Sequence, residues 1–246
     1  MLTRSRPTAT FLLLAAFLGI AAACASKSDG LTPEEAGESA GGGEIRRLAP
    51  AEILEYRGEK LGSVDDFREN SVAGPQYVDP EAWRLAIDGL VAEPLSLSYE
   101  EVLAFGSSEK VIELNCVEGW TVKALWAGPL VMDLVAAALP LSSATTLILE
   151  AVDGYTTALP LEWLRERSII LASTINGVVL PPERGFPFQL AAEDKWGFKW
   201  IKWVTRLTLS DDESYRGTYE QKGFSSDGSI WGPKSDITDE PGMPGL

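Results

Sequence analysis

A cysteine, a run of alternating tryptophans and lysines, and two short polar stretches hold most of the chemistry available to this chain. Cys116 lies in ELNCVEGW (113–120), and the only other cysteine is Cys24. As part of an extended run Val111–Val117, Cys116 shares a face with Ile112 and Leu114, and Glu113 and Asn115 point the other way. Most free cysteines are small buried apolar residues. A second reading stands beside that one, because the Glu118-Gly119-Trp120 turn can bring the thiol to a strand end at a pocket wall. There it could ligate a metal or act as a redox-sensing thiol. Farther along, Lys195–Leu209 reads KWGFKWIKWVTRLTL. Alternation puts Ile201, Trp203, Thr205, Leu207 and Leu209 toward a core, with Trp200, Lys202, Val204 and Arg206 opposite. With Arg184, Lys195 and Lys199 near it in sequence, this cationic set could seat a phosphate or an oxyanion. It could equally form a solvated face with cation–π pairs. Asp153-Gly154 in AVDGYTTALP signals a hairpin turn, and NSVAGPQYVDP (70–80) reads as a polar loop. No Walker, GxGxxG, GxSxG or CxxC pattern occurs.

Composition narrows the field further. The chain of 246 residues is 45% hydrophobic with 8 Trp and 15 Pro, as in a packed globular protein with long ordered loops. Its net charge of −15 argues against nucleic acid as a partner. It contains no histidine, which excludes His-ligated zinc or haem, Ser–His and Cys–His pairs, and an imidazole base. A metal would be held by Cys116, by carboxylates, or through ligands that a cofactor brings.

The elements that must position these residues follow from patterning. Strand-like runs are expected at Arg84–Asp88, Val111–Val117, Thr146–Ala151 and Lys199–Leu209, with helices at Ser98–Ala104, Pro129–Ala138 and Leu161–Glu166. They do not alternate as βαβ units, so an α+β, mainly β architecture is expected. Arg4 and Arg6 precede the apolar run Phe11–Ala23, too short for a membrane span, and then Cys24. Residues 1–24 are therefore expected to be a lipoprotein-type signal with Cys24 lipidated, and 25–48 a flexible tether. A domain over 49–224 and a polar tail over 225–246 complete the expected organisation.

Four segments together resemble the molybdopterin-binding catalytic domain of the sulfite oxidase family: CVEGW at Cys116, DGYTTALPL at Asp153, NGVVLPPERGFPFQL from Asn176 and WGFKWIKWVTRLTL from Trp196. The likeness continues through FRENSVAGPQYVDPEAWRLAIDGLV upstream and SYRGTYEQKGF downstream, covering roughly Ala51 to Phe224. It is closest in kind to bacterial single-domain members related to the periplasmic sulfoxide reductase catalytic subunit. The resemblance implies a molybdenum held by pterin dithiolene sulfurs, with Cys116 as the one protein ligand. It implies cofactor contacts from Asn70, Ser71, Asp153, Arg184, Gln189, Trp200, Ile201 and Lys202, with Ile201 acting through its backbone. Tyr155 would line the substrate pocket, with Arg184 and Trp200 at its mouth. Arg184 stands where many members have His or Asn, and Gln189 where they commonly have Arg. The implied reaction is oxygen-atom transfer on a small oxyanion or S-/N-oxide, in either direction, with a separate haem- or quinone-linked electron partner. The implied location is the periplasmic side of the cell envelope, although Arg4 and Arg6 are not adjacent as in a twin-arginine leader. A cofactor-free anion-binding lipoprotein on the same fold is the alternative.

Overall fold

The strand at Leu85–Gly89 lies side by side with the last strand, Val204–Ser210, so the larger sheet is completed only when distant parts of the chain meet. The computed structural model describes residues 51–236, and the expected signal, lipidated Cys24 and tether lie outside them. In chain order the elements are β1 (Glu55–Tyr56), β2 (Glu59–Lys60), β3 (Leu85–Gly89), β4 (Leu95–Leu97), α1 (Tyr99–Leu103), β5 (Ser108–Asn115), β6 (Thr121–Gly128) and α2 (Val131–Ala137). They continue with β7 (Thr146–Ala151), β8 (Thr156–Pro160), α3 (Leu161–Glu166), β9 (Ile170–Ala172), β10 (Thr174–Ile175), β11 (Val178–Val179), β12 (Gln189–Ala191) and β13 (Val204–Ser210). The larger sheet has the order β4-β3-β13-β7-β8, with β3 and β13 parallel and its other pairs antiparallel. A second sheet, β11-β10-β6-β5, is antiparallel throughout, and β12 pairs with β9. The expected α+β, mainly β architecture is the one observed.

Local sequence explains these elements. Leu85 and Ile87 of β3, and Leu147 and Leu149 of β7, are fully buried at alternate positions. They join Ile112 and Leu114 of β5, Trp126 of β6 and Leu134 of α2 in one hydrophobic core. The short helix α1 starts at a capping box in which the Ser98 hydroxyl accepts from the Glu101 N–H and the Glu101 carboxylate accepts from the Ser98 N–H. Asn176-Gly177, with φ of 49° and 76°, makes the tight turn between β10 and β11. The Asn176 side chain also accepts from Leu125 N–H at 2.9 Å and donates to Gly62 C=O at 2.8 Å, fastening the turn to β6 and the β2 exit.

Two expectations need correcting. The run Lys199–Leu209 is not one strand: a 3₁₀ turn spans Gly197–Lys199, irregular backbone follows, and β13 begins only at Val204. Trp203 adopts φ 53°, which ends any alternation there. A bulge between Val204 and Arg206 then shifts the phase, so Val204 is buried with Leu207 and Leu209, and Trp200 is buried as well. The second concerns the stretch after Phe224, which is folded back onto the domain at least to Asp236. There Trp196 N–H donates to Gly228 C=O at 2.8 Å and Ile230 N–H to Asp194 C=O at 3.0 Å.

Candidate functional site

The β5–β6 turn forms one wall of a cavity of about 410 Å³, lined by every residue that the family resemblance assigned to the cofactor or substrate, whereas Lys195, Lys199 and Arg206 of the cationic run do not line it. β5 stops at Asn115, so Cys116 is the first residue of the turn and not a strand residue. Its N–H donates to Trp120 C=O at 2.9 Å and its C=O accepts from Gly119 N–H at 3.0 Å, with Gly119 at φ 87°. The thiol has no disulfide partner and is 5% exposed. The Asn70 amide nitrogen, from the loop before β3, lies 3.5 Å from the sulfur. Burial pushes the Cys116 thiol up, against the smaller opposing pull of the Glu118 backbone N–H, the Asn70 amide and the Arg68 guanidinium.

Two cations, the buried Arg184 and the partly buried Lys202, form a second part of the cavity. Arg184 ends a 3₁₀ turn, Pro182–Arg184, and its guanidinium donates to Arg68 C=O at 3.2 and 3.3 Å and to Glu69 at 3.2 Å. Lys202 donates to the same Glu69 oxygen at 2.8 Å and to Glu183 C=O at 3.0 Å. Burial lowers both cations' pKa values, and Glu69 works against that loss. Burial raises the Glu69 carboxyl, but Lys202 and Ser71 together hold it below its ordinary value. Ser71 is committed to Glu69 through both its N–H and its hydroxyl.

The remaining residues divide by what their polar atoms do. Gln189, at the start of β12, donates through Nε2 to Trp200 C=O at 3.4 Å. Its buried Oε1 has no partner among the described residues. The Trp200 indole N–H is committed to Lys195 C=O at 3.0 Å, and its ring packs 5.2 Å from Trp126. Asp153 accepts from Tyr155 N–H at 3.0 Å and thereby shapes the β7–β8 turn. Ile201 was expected to act through its backbone, yet its N–H donates to Lys199 C=O at 3.0 Å and its C=O accepts from Leu190 N–H at 2.9 Å. Tyr155 lines the cavity as expected of a pocket residue, and its hydroxyl donates to Phe198 C=O at 2.5 Å while burial drives its pKa far up.

Sequence reasoning missed Tyr219. It lines the cavity, packs against Tyr155, Phe198 and Phe224, and its hydroxyl has no hydrogen bond among the described residues. Burial, with the negative charge of Glu118 next, raises its pKa. The signal was present in SYRGTYEQKGF, where two aromatics stand five residues apart, but nothing local gave them a role. Arg68 and Lys234 were also missed.

These residues fit a molybdopterin. Among the described residues no three His, Cys, Asp or Glu side chains converge as a metal site, so the protein offers a single soft thiolate. A metal bound there must bring further ligands, as the dithiolene sulfurs do. Arg184 and Lys202 supply cations for a phosphate, and the unsatisfied Gln189 Oε1 can accept a hydrogen bond from a pterin N–H.

Comparison with known proteins bears on this cavity. Residues 72–218 match the family described as the oxidoreductase molybdopterin binding domain. The uncharacterized oxidoreductase YuiH of Bacillus subtilis is 34% identical over 158 residues, covering 64% of this chain and 79% of that one. The protein-methionine-sulfoxide reductase catalytic subunit MsrP of Campylobacter jejuni is 26% identical over 170 residues, and the match spans only 57% of its length. The crystal structure of the sulfane dehydrogenase SoxCD from Paracoccus pantotrophus shares the fold, with a TM-score of 0.56 at 23% identity, covering 61% of this chain and 42% of that chain. The matched segment contains both Cys116 and the Arg184–Lys202 wall, and the chain belongs to the sulfite-oxidase-like family of molybdopterin-dependent oxidoreductases.

Proposed function

We propose that the protein catalyses oxygen-atom transfer on a small oxyanion or an S- or N-oxide at the cell envelope, tethered through Cys24 and exchanging electrons with a separate haem- or quinone-linked partner. The observation that carries this reading is the unpaired Cys116 thiol in one cavity with the Arg184–Lys202 cation pair. The name of the Campylobacter relative supports the reductive direction. Bound molybdopterin would supply two-electron exchange of an oxygen atom.

The chain's own residues divide the remaining work. Cys116 contributes the thiolate, and the Asn70 amide donates toward its sulfur. Arg184 and Lys202 hold the anionic end of the cofactor, and Glu69 fixes both cations in place. Trp200 packed on Trp126 keeps water from that wall. Tyr219, whose hydroxyl opens on the cavity, holds a proton for the transferred oxygen. Tyr155 positions the Phe198 backbone beneath it.

The deciding measurement is molybdenum and pterin content of protein purified from its native host. Close to one of each per chain is expected, lost in Cys116→Ser while the fold is retained. Metal-free protein from a host that loads its other molybdopterin enzymes would overturn the reading.

A further inference from the structure

Residues 223–236 follow the family match, which ends at residue 218, and form a closed strap. Its two ends pair at Phe224 and Ser235, where the Ser225 N–H donates to Lys234 C=O at 3.0 Å and the Ser235 hydroxyl to Gly223 C=O at 2.7 Å. Asp236 accepts from the Ser226 N–H at 2.9 Å and from its hydroxyl at 3.0 Å. Midway, Asp227 pairs with the buried Lys195 at 2.7 Å, Trp196 N–H donates to Gly228 C=O at 2.8 Å, and Ile230 N–H donates to Asp194 C=O at 3.0 Å. The middle of the strap is thus fastened to one short segment, 194–196.

What the strap lacks is a share of the core. None of its apolar side chains is buried, and Trp231 is 81% exposed. A segment with few buried apolar contacts opens at lower free energy than packed strands do, and it opens as a unit. The strap also borders two cavities. Phe224 and Lys234 line the one that contains Cys116, whereas Ser226 and Asp227 line a second of about 700 Å³ that extends to Thr146 and to Glu162 and Arg165 of α3. One end reaches the cysteine turn itself: the Lys234 ammonium donates to Val117 C=O at 3.3 Å and lies 4.7 Å from the Trp196 ring. The other walls are anchored more deeply. Cys116, Trp200 and Ile201 belong to the buried core, Tyr219 adjoins the buried Glu220–Lys199 pair, and the 68–72 loop is held by buried Phe67 and by the Glu69 contacts to Arg184 and Lys202.

We propose that the strap 223–236 opens as a unit, with both sheets intact, to pass the molybdopterin and closes to retain it, the Lys195–Asp227 ion pair serving as its latch. The proposal rests on the cavity being the seat of the cofactor, and it names the wall that moves. Breaking the latch leaves Lys195 buried without its carboxylate, so the closed strap loses more than an exposed ion pair would contribute.

The test uses the full-length protein purified with its molybdenum. Amide hydrogen exchange, read by mass spectrometry, follows strap opening against the β13 peptide as reference, and molybdenum retained during dialysis is measured on the same samples. Asp227→Asn should speed exchange in peptides covering 223–236 by about tenfold, leave β13 unchanged, and speed molybdenum loss by about tenfold. Asp227→Glu should restore both. Lys234→Met, at an exposed position where folding is not at stake, should shift both readouts in the same direction as Asp227→Asn. Faster strap exchange with molybdenum held as firmly as in the wild type overturns the proposal. So does faster molybdenum loss with the strap unchanged, or β13 exchange that rises in step with the strap. A wild-type protein that carries no molybdenum overturns the cofactor reading itself and the strap's role with it, a result distinct from each of the others.

Discussion

The Lys199 ammonium and a Glu220 carboxylate oxygen stand 2.5 Å apart, with 1% of either side chain exposed. Lys199 also donates to Ala158 C=O at 3.1 Å, and the Thr157 hydroxyl donates to the same Glu220 oxygen at 2.8 Å. The pair joins the 3₁₀ turn beneath the cavity to the segment that carries Tyr219. Removing one partner strands a buried charge, at a cost of about 3–5 kcal/mol. Lys199→Met should therefore lose that much stability in urea unfolding, and Lys199→Met with Glu220→Leu should recover most of it. A single variant costing less than about 1 kcal/mol would show that the pair is not what locks the segment.

Glu69 gives a pH signature. Its carboxyl sits below the ordinary value in the folded chain, so the unfolded chain takes up its proton first as pH falls. The stability it contributes is complete above the ordinary carboxylate range and is lost as pH drops through its lower folded value. Glu69→Gln should show a shallower fall in stability between about pH 5 and 3 than the wild type. Equal slopes in thermal unfolding would remove Glu69 from the account.

The two tyrosines should separate cleanly. Tyr155→Phe leaves a buried carbonyl at Phe198 without its donor and should cost about 1–3 kcal/mol of stability. Tyr219→Phe removes a hydroxyl with no partner among the described residues and should leave stability within about 0.5 kcal/mol. Its effect should fall on turnover, lowering kcat by about 100-fold, measured with reduced methyl viologen and dimethyl sulfoxide. Full kcat in Tyr219→Phe would transfer the proton role elsewhere.

Gly185 tests the cation wall from the backbone side. It holds φ 95°, and a Cβ there would lie 2.9 Å from the Cβ of Lys202. Gly185→Ala should cost more than about 1 kcal/mol and reduce molybdenum content by displacing Lys202. Gly154→Ala, at φ 80° with nothing within 4 Å of the added methyl, shares the backbone strain but should keep its metal. Equal metal loss in both would attribute the effect to strain alone.

How much of this was legible beforehand differs by element. β7 and α3 match their expected bounds because each carries a clean apolar period and a distinct stop. Cys116 was expected inside the run Val111–Val117, with the Gly turn only offering a strand-end position, whereas the strand stops at Asn115. Lys202 was read on the side opposite the core, but no strand exists there, and its ammonium is held by Glu69 and Glu183 C=O. Roles that depend on a hydroxyl's partner could not be read, since Tyr155 and Tyr219 differ in whether a carbonyl accepts from the hydroxyl: Phe198 C=O does so for Tyr155, and none among the described residues does for Tyr219. Lys234 was hidden in a polar stretch whose order comes from ion pairs and backbone bonds across the chain, with no periodicity to announce them.

The pairing of β3 with β13 has a consequence for synthesis in the cell. Strands that lie side by side are separated by more than a hundred residues, and the cavity draws on residues from Arg68 to Lys234. A ribosome that has made Cys116 has not yet made the wall that faces it. The cofactor can be enclosed only after translation has passed Lys234, so any loading machinery must act on a chain in which every cavity residue has already been made.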